Sequence, residues 1–271
     1  MTEQTSTWLE LKNIEVWQNN HKLVEDLSMD LSMGEPTTIL GPNGSGKSTL
    51  IKLIERRLHP VVKRGSQVRL FGQEIIHLQE LRQRIGVLNS ELDERIPATC
   101  SIREVILSGF FGSTRLGHGQ RPTTQQCNQA ATLLDRFELS ELEMREFRQL
   151  SDGQKRRLLI ARALIHQPEV LVLDEPARAL DLRSCHQLLR VISSLCQDGV
   201  TVVQVTHRIE TIVPEMKRII FLQDGKVISQ GSPTAMLTER KLSNLFNTPL
   251  KLVEANGYRQ VVPGMIESTD R

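Results

Sequence analysis

Residues 41–49 read Gly-Pro-Asn-Gly-Ser-Gly-Lys-Ser-Thr. Glycines at 41, 44 and 46 let the backbone curl until several N–H groups converge on one anion. A lysine at 47 can reach the outer phosphates of a polyphosphate, and a hydroxyl at 48 can ligate Mg²⁺. Gly41, Gly46, Lys47 and Ser48 are the positions a phosphate-binding P-loop requires, and Pro42, Asn43, Gly44, Ser45 and Thr49 complete it. The flanks fit. Pro36-Thr37-Thr38-Ile39-Leu40 reads as a short buried strand, and Leu50, Ile51, Leu53, Ile54 and Leu58 recur at helical spacing. A helix starting at the loop would add its dipole and its unpaired N–H groups to the anion site. The bland alternative is a glycine-rich turn that binds nothing, and the strand before it and helix after it argue against that.

A second cluster lies at Val170-Leu171-Val172-Leu173-Asp174-Glu175-Pro176. Four aliphatic residues in a row read as a strand buried on both faces. Two carboxylates at its C-terminal end are costly unless they meet a cation or a reacting group. Beside a P-loop, Asp174 can complete a Mg²⁺ shell, and Glu175 can polarise a water aimed at the terminal phosphate. Merely solvated strand-end acids are the alternative.

The elements that position these residues are legible in outline. Leu9 and Leu11, then Leu27, Met29 and Leu31, alternate with polar neighbours around a polar turn at Gln18-Asn19-Asn20, which predicts an antiparallel β piece. Strands follow near Val68–Leu70 and at Ile85-Gly86-Val87-Leu88. From about Ser101 to His166 the pattern is helical. Ile102, Val105, Ile106 and Phe110 share one face, Ala130, Leu133, Leu134 and Phe137 another, with a loop over Gly109–Pro122 between them. Strand and helix then alternate: Val170–Leu173, a helix from Asp181, Val200–Val205, and Arg218–Leu222 closing on Asp224-Gly225 in a hairpin. The expected class is α/β: a P-loop NTPase core with a mostly parallel sheet, an N-terminal antiparallel β subdomain and an inserted helical subdomain. The expected boundaries are 1–87 with 167–240 for the core and β subdomain, 88–166 for the helical subdomain, and 241–271 for a tail.

Composition narrows the function. The 271 residues carry 34 basic and 32 acidic side chains, a net charge of +2 with no long basic run, so nucleic acid is not expected as a partner. Aromatics at 4% leave little for stacking single strands. No apolar run approaches the roughly 18 residues of a membrane span, and Met1–Thr7 lacks the apolar core of a signal peptide. These features predict a soluble cytoplasmic chain. Cysteines 100, 127, 185 and 196 form no CxxC pair. Cys185 and Cys196 lie in a helical pattern with Leu188, Leu189, Ile192 and Leu195, and read as buried thiols rather than metal ligands.

In this order the motifs resemble the nucleotide-binding domain of ATP-binding cassette (ABC) proteins over nearly the whole chain. Leu150-Ser151-Asp152-Gly153-Gln154 is similar to the family's signature, with Asp152 where glycine is usual, and Ile160-Ala161-Arg162-Ala163-Leu164 is similar to the signature helix. Ala179-Leu180-Asp181 resembles the D-loop, His207 the switch histidine, and Trp17 the aromatic that stacks on adenine. Each also has a plainer reading: Trp17 as a strand aromatic, His207 as a surface histidine, Ser151 as a helix N-cap. The resemblance implies Mg²⁺-dependent ATP hydrolysis with Glu175, His207 and Lys47 catalytic. ATP would contact Trp17, residues 41–49, Ser151, Gly153, Gln154 and Asp181, and the metal would contact Ser48 and Asp174. It implies a sandwich in which a second copy or a paralogous ATPase domain supplies its signature, and a transmembrane permease that holds the chain at the inner face of the membrane.

One departure stands out. Where transporter ATPases of this family usually place a glutamine after the strand at 85–88, this chain has Asn89-Ser90. Ser90 is too short to reach a metal except through water. Similar sequences occur in stand-alone bacterial cassettes, some linked to molybdate transport, while the tail from Gly231-Ser232-Pro233 resembles metal-chelate importer ATPases. Two functions stay open here: the energy-coupling subunit of a transporter, and a soluble regulatory or repair cassette. A translation-factor cassette would carry two P-loops, and a coiled-coil repair ATPase would carry a long heptad run; neither is present.

Overall fold

The computed structural model describes residues 6–89 and 91–264. They form two compact units, one drawn from the chain up to Ile76 and again from Cys196 onward, the other from His77–Leu195. Ser90 lies outside the described residues.

The first unit opens with two long strands, β1 (Thr7–Gln18) and β2 (His21–Ser32). Asn19 and Asn20 between them have φ of 50° and 62°. This is the two-residue turn whose twist matches a hairpin, in a conformation asparagine tolerates. Leu9 faces Leu31, Leu11 faces Met29 and Ile14 faces Leu27, so the alternating apolar residues share the buried side. Next come β3 (Thr37–Leu40), α1 (Lys47–Ile54) and β4 (Gln67–Leu70), with β4 antiparallel to β1. Helix α1 ends earlier than its apolar spacing suggests. Arg56 turns left-handed at φ 56°, its N–H bonds Leu53 O, and the Arg57 N–H bonds Lys52 O at 2.8 Å. That pattern closes the last carbonyls of a helix, so Leu58 lies beyond α1 rather than on it.

The second unit contains α2 (Leu78–Arg84), β5 (Ile85–Leu88), α3 (Leu92–Arg95), α4 (Ile102–Ser108), α5 (Thr124–Arg136), α6 (Asp152–Ala163), β6 (Val170–Asp174) and most of α7 (Leu182–Gln197). Helices α4, α5 and α6 start alike. Ser101, Thr123 and Ser151 accept from the N–H three residues on, and Glu104, Gln126 and Gln154 reach back to the cap N–H. Each box satisfies two otherwise orphaned donors. Strand β6 runs parallel to β5 and is buried at all five residues, which explains its unbroken aliphatic run.

The chain then returns to the first unit with β7 (Thr201–Thr206), β8 (Arg218–Gln223), β9 (Lys226–Gly231), α8 (Pro233–Met236), α9 (Glu239–Phe246), β10 (Leu250–Ala255) and β11 (Tyr258–Pro263). Within it β3 is parallel to both β7 and β8, and β9 returns antiparallel along β8. The β8–β9 turn is Asp224-Gly225, at φ 49° and 72°. All four residues of β3 and all six of β7 are buried. Cys185 is buried but Cys196, expected to be, is only half-buried; neither is in a disulfide, and burial pushes the Cys196 thiol up to about 12. Among the described residues, no helix is long and apolar enough to cross a membrane.

Candidate functional site

Residues 41–46 connect β3 to α1. Gly41 N–H bonds Thr206 O at 3.2 Å, tying the loop's start to the end of β7, and Ser45 N–H bonds Pro42 O at 3.2 Å. Gly44 and Gly46 have φ of 81° and 101°. A side chain on Gly41 would put its Cβ 2.1 Å from Leu222 O on β8 and 2.6 Å from Ser45 Oγ, so only glycine fits. The β8–β9 turn braces the loop from outside: Gly225 N–H bonds Ser45 O at 2.9 Å, and a Cβ at Gly46 would lie 3.2 Å from Gly225 Cα. The sequence marks Asp224-Gly225 as a turn but gives no sign that it supports the P-loop.

The loop suits a phosphate on two independent counts. Helix α1 starts at Gly46 with no side-chain cap, unlike α4, α5, α6, α8 and α9, whose Ser or Thr caps occupy the first-turn donors. No cap side chain competes with an anion at its N-terminus. Ser45 Oγ, moreover, is buried without a hydrogen-bond partner. Lys47 is 6% exposed and donates from Nζ to Gly41 O at 2.7 Å and Pro42 O at 2.8 Å, so its ammonium is held along the inner edge of the loop. Ser48, Asn43 and Gly44 are exposed, and Thr49 is buried.

In the second unit, Asp174 ends β6 and is 6% exposed. Glu175 follows, half-buried and left-handed at φ 43°. A non-glycine residue pays about 1 kcal/mol or more for that conformation, and such strain gathers where a side chain must be aimed. Its carbonyl accepts from Arg178 N–H at 3.0 Å, turning the chain sharply off the strand. Arg156 on α6 interacts electrostatically with Asp174. Burial lowers the Arg156 guanidinium from its ordinary value, while Asp93 and then Asp174 pull it back up. Nothing in the sequence pattern linked this arginine to β6.

The signature stretch and the D-loop meet inside this unit. Ser151 caps α6, and the Gln154 side chain is committed to the same box, accepting from Ser151 N–H at 2.9 Å. Gly153 packs directly on Ser184 in the first turn of α7: an added Cβ would lie 2.5 Å from Ser184 Oγ and 2.7 Å from its Cβ. Asp181, after left-handed Ala179 (φ 61°), caps α7 by accepting from Ser184 N–H at 2.8 Å and Ser184 Oγ at 3.1 Å. These two bonds, the backbone one first, hold the Asp181 carboxyl below its usual range. Gly153→Ala should therefore destabilise the protein by about 1–3 kcal/mol, the scale of overpacking. Thermal unfolding of Gly153→Ala alone and with Ser184→Gly checks this, since the double variant removes the clash and should recover most of the loss.

Trp17 lies near the end of β1 and is 47% exposed. His207 is half-buried and follows Thr206, whose carbonyl holds Gly41. Trp17, His207 and residues 41–49 thus belong to the first unit; Ser151, Gly153, Gln154, Asp174, Glu175 and Asp181 belong to the second.

Residues 24–178 match the sequence profile of the ABC transporter family. The chain belongs to the ATP-binding cassette family. Among its ABC relatives, the cobalt import ATP-binding protein CbiO of Rhodobacter capsulatus is 34% identical across 81% of this chain and 76% of its own. The hemin import ATP-binding protein HmuV of Aliivibrio fischeri is 31% identical across 83% and 84%. A solved structure, the dimeric post-hydrolysis state of the cassette MJ0796 bound to ADP and Pi, is 28% identical with a TM-score of 0.68, covering 83% of this chain and 98% of that one. The α/β fold with its P-loop, and ATP binding and hydrolysis as the activity, follow for this ABC cassette.

Proposed function

We propose that this ABC ATPase energises uptake through a membrane permease, working as a head-to-tail pair with a second copy or a paralogous cassette. The observation that carries the pairing is the exposure of Ser151 at the N-terminus of α6, a helix whose dipole favours an anion and whose cap residue a second molecule can reach. Lys47 and the N–H groups of residues 43–49 hold the outer phosphates. Ser48 and Asp174 are the residues that would hold Mg²⁺, which would supply charge neutralisation at the phosphates. Glu175 takes a proton from the attacking water, His207 contacts the γ-phosphate, and Trp17 stacks on adenine. The second copy brings Ser151, Gly153 and Gln154 over the γ-phosphate, with Asp181 at the same junction. ATP thereby gains contacts in the closed pair that one copy alone cannot supply, and shifts the equilibrium toward it.

Import of a metal or metal chelate is favoured by the similarity to cobalt and hemin import ATPases. The serine at 90 favours the second reading, a cassette with no membrane partner. Detergent extraction with the tagged chain separates them. A multi-span protein should co-purify, and its absence under conditions that keep known transporters intact would overturn the transporter reading. The pairing has its own test. Light scattering should give a monomer for the wild type without nucleotide and a dimer for Glu175→Gln with MgATP. Adding Ser151→Arg should abolish the dimer, because the bulky side chain fills the space the partner's γ-phosphate needs. A Glu175→Gln mass that ignores ATP would sink the sandwich.

A further inference from the structure

We propose that Glu15 is a positioning residue for the nucleobase: its carboxylate locks the Trp17 indole in the orientation that stacks on adenine. The inference rests on the reading of Trp17 as the adenine platform and adds a residue to it that no motif contains.

The geometry comes from one edge of β1. Trp17 Nε1–H donates to Glu15 Oε1 at 2.6 Å, while Lys63 Nζ donates to the other oxygen, Oε2, at 3.2 Å. Both carboxylate oxygens are therefore committed, one to the ring and one to the loop after α1. That loop is fixed in turn, because Val61 N–H bonds Glu15 O at 2.8 Å. Lys22, opposite Trp17 across the hairpin, places its ammonium 5.4 Å from the ring centroid and is bonded to Glu25 at 2.8 Å. The indole is thus restrained at its N–H edge by Glu15 and over one face by Lys22, yet 47% of it stays exposed. It is the one exposed aromatic side chain among the described residues. An exposed tryptophan with no further role would be free to rotate; this one has an ion-paired acceptor of its own.

The hairpin that carries the platform also touches the phosphate loop. Val16, next to Trp17, pairs with Val24, and a Cβ at Gly46 would lie 3.7 Å from Val24 Cγ2. The β1–β2 register shifts at both Ile14/Val16 and Val16/Trp17. Such bulges re-aim a side chain beside a site. For a nucleotide whose phosphates sit at residues 43–49 and whose base meets this ring, the orientation of the ring decides how much of the base it covers.

The test compares ATP with inorganic tripolyphosphate, which offers the phosphates without a base. Affinities are measured by calorimetry with Mg²⁺ for wild type, Trp17→Ala, Glu15→Ala and Glu15→Gln, with thermal unfolding as the folding control. Trp17→Ala should weaken ATP by about tenfold, the scale of losing one stacked base, and leave tripolyphosphate unchanged. Glu15→Ala should weaken ATP by about three- to tenfold with tripolyphosphate again unchanged, because the ring stays but its orientation is released. Glu15→Gln keeps an acceptor oxygen and should restore most of the loss. If Trp17→Ala weakens ATP selectively but Glu15→Ala does not, the role of Glu15 is overturned and the platform stands. Equal weakening of ATP and tripolyphosphate by Glu15→Ala would mean general distortion and would also overturn it. If Trp17→Ala leaves the ratio of the two ligands unchanged, the platform reading falls and the Glu15 inference with it.

Discussion

Glu175→Gln is expected to bind MgATP as the wild type does and to hydrolyse it at least about a hundredfold more slowly, the usual worth of a positioned general base. The substitution is close to isosteric. Glu175 occupies a left-handed turn at φ 43° directly after β6, held by the Arg178 N–H bond to its carbonyl. Glutamine inherits the same backbone strain and backbone bonds, so the turn should survive. What changes is the chemistry of one atom pair: an amide cannot accept the proton of an attacking water at neutral pH. Affinity therefore stays while the chemical step slows, which appears as a fall in kcat with KM unchanged or lower. Single-turnover phosphate release measures this directly. Turnover within a few fold of wild type would remove Glu175 from the role of base and leave the strained turn without a catalytic reason.

The parts of this ABC cassette that were legible in its sequence are those written in contiguous residues. The P-loop is nine consecutive positions. Ser151 reads as the cap of a helix, and Asn19-Asn20 and Asp224-Gly225 name their own turns. Buried strands β3, β6 and β7 announce themselves as aliphatic and β-branched runs because both faces are covered. The hidden parts are contacts between residues distant in the chain. Gly225 bracing Ser45, Ser184 against Gly153, and Arg156 acting on Asp174 leave no periodicity, since each involves one residue per element. Glu15 beside Trp17 is close in sequence, but an acid two positions from an aromatic on a strand is too common a pattern to signify a bond. The end of α1 is hidden for a different reason. Its left-handed closing residue is Arg56, where glycine or asparagine would have been the visible signal.

Lys47→Ala should weaken ATP and ADP by at least about tenfold, or roughly 1.4 kcal/mol, and by clearly more than it weakens AMP. Lys47 has two roles that experiment can separate. Lys47 is 6% exposed, and its ammonium donates to Gly41 O and Pro42 O at 2.7 and 2.8 Å. Truncation thus removes a cross-link inside the loop and a positive charge facing the anion. Hydrogen bonds to a charged group contribute about 1.5–3 kcal/mol each, so the loop itself should loosen and the melting temperature without nucleotide should drop. That loss alone would weaken every ligand of the loop to a similar degree. Loss of the point charge weakens only ligands with a β-phosphate, because lysine reaches the outer phosphates and not the α-position. The pattern across AMP, ADP and ATP therefore tells the two apart. Lys47→Arg sharpens the contrast. It keeps the charge, but a planar guanidinium is too large to sit between two loop carbonyls, so ATP affinity should fall by less than in Lys47→Ala while hydrolysis is still impaired. Calorimetry with Mg²⁺ that returned wild-type affinity for ATP in Lys47→Ala would contradict the assignment of residues 41–49 as the phosphate site.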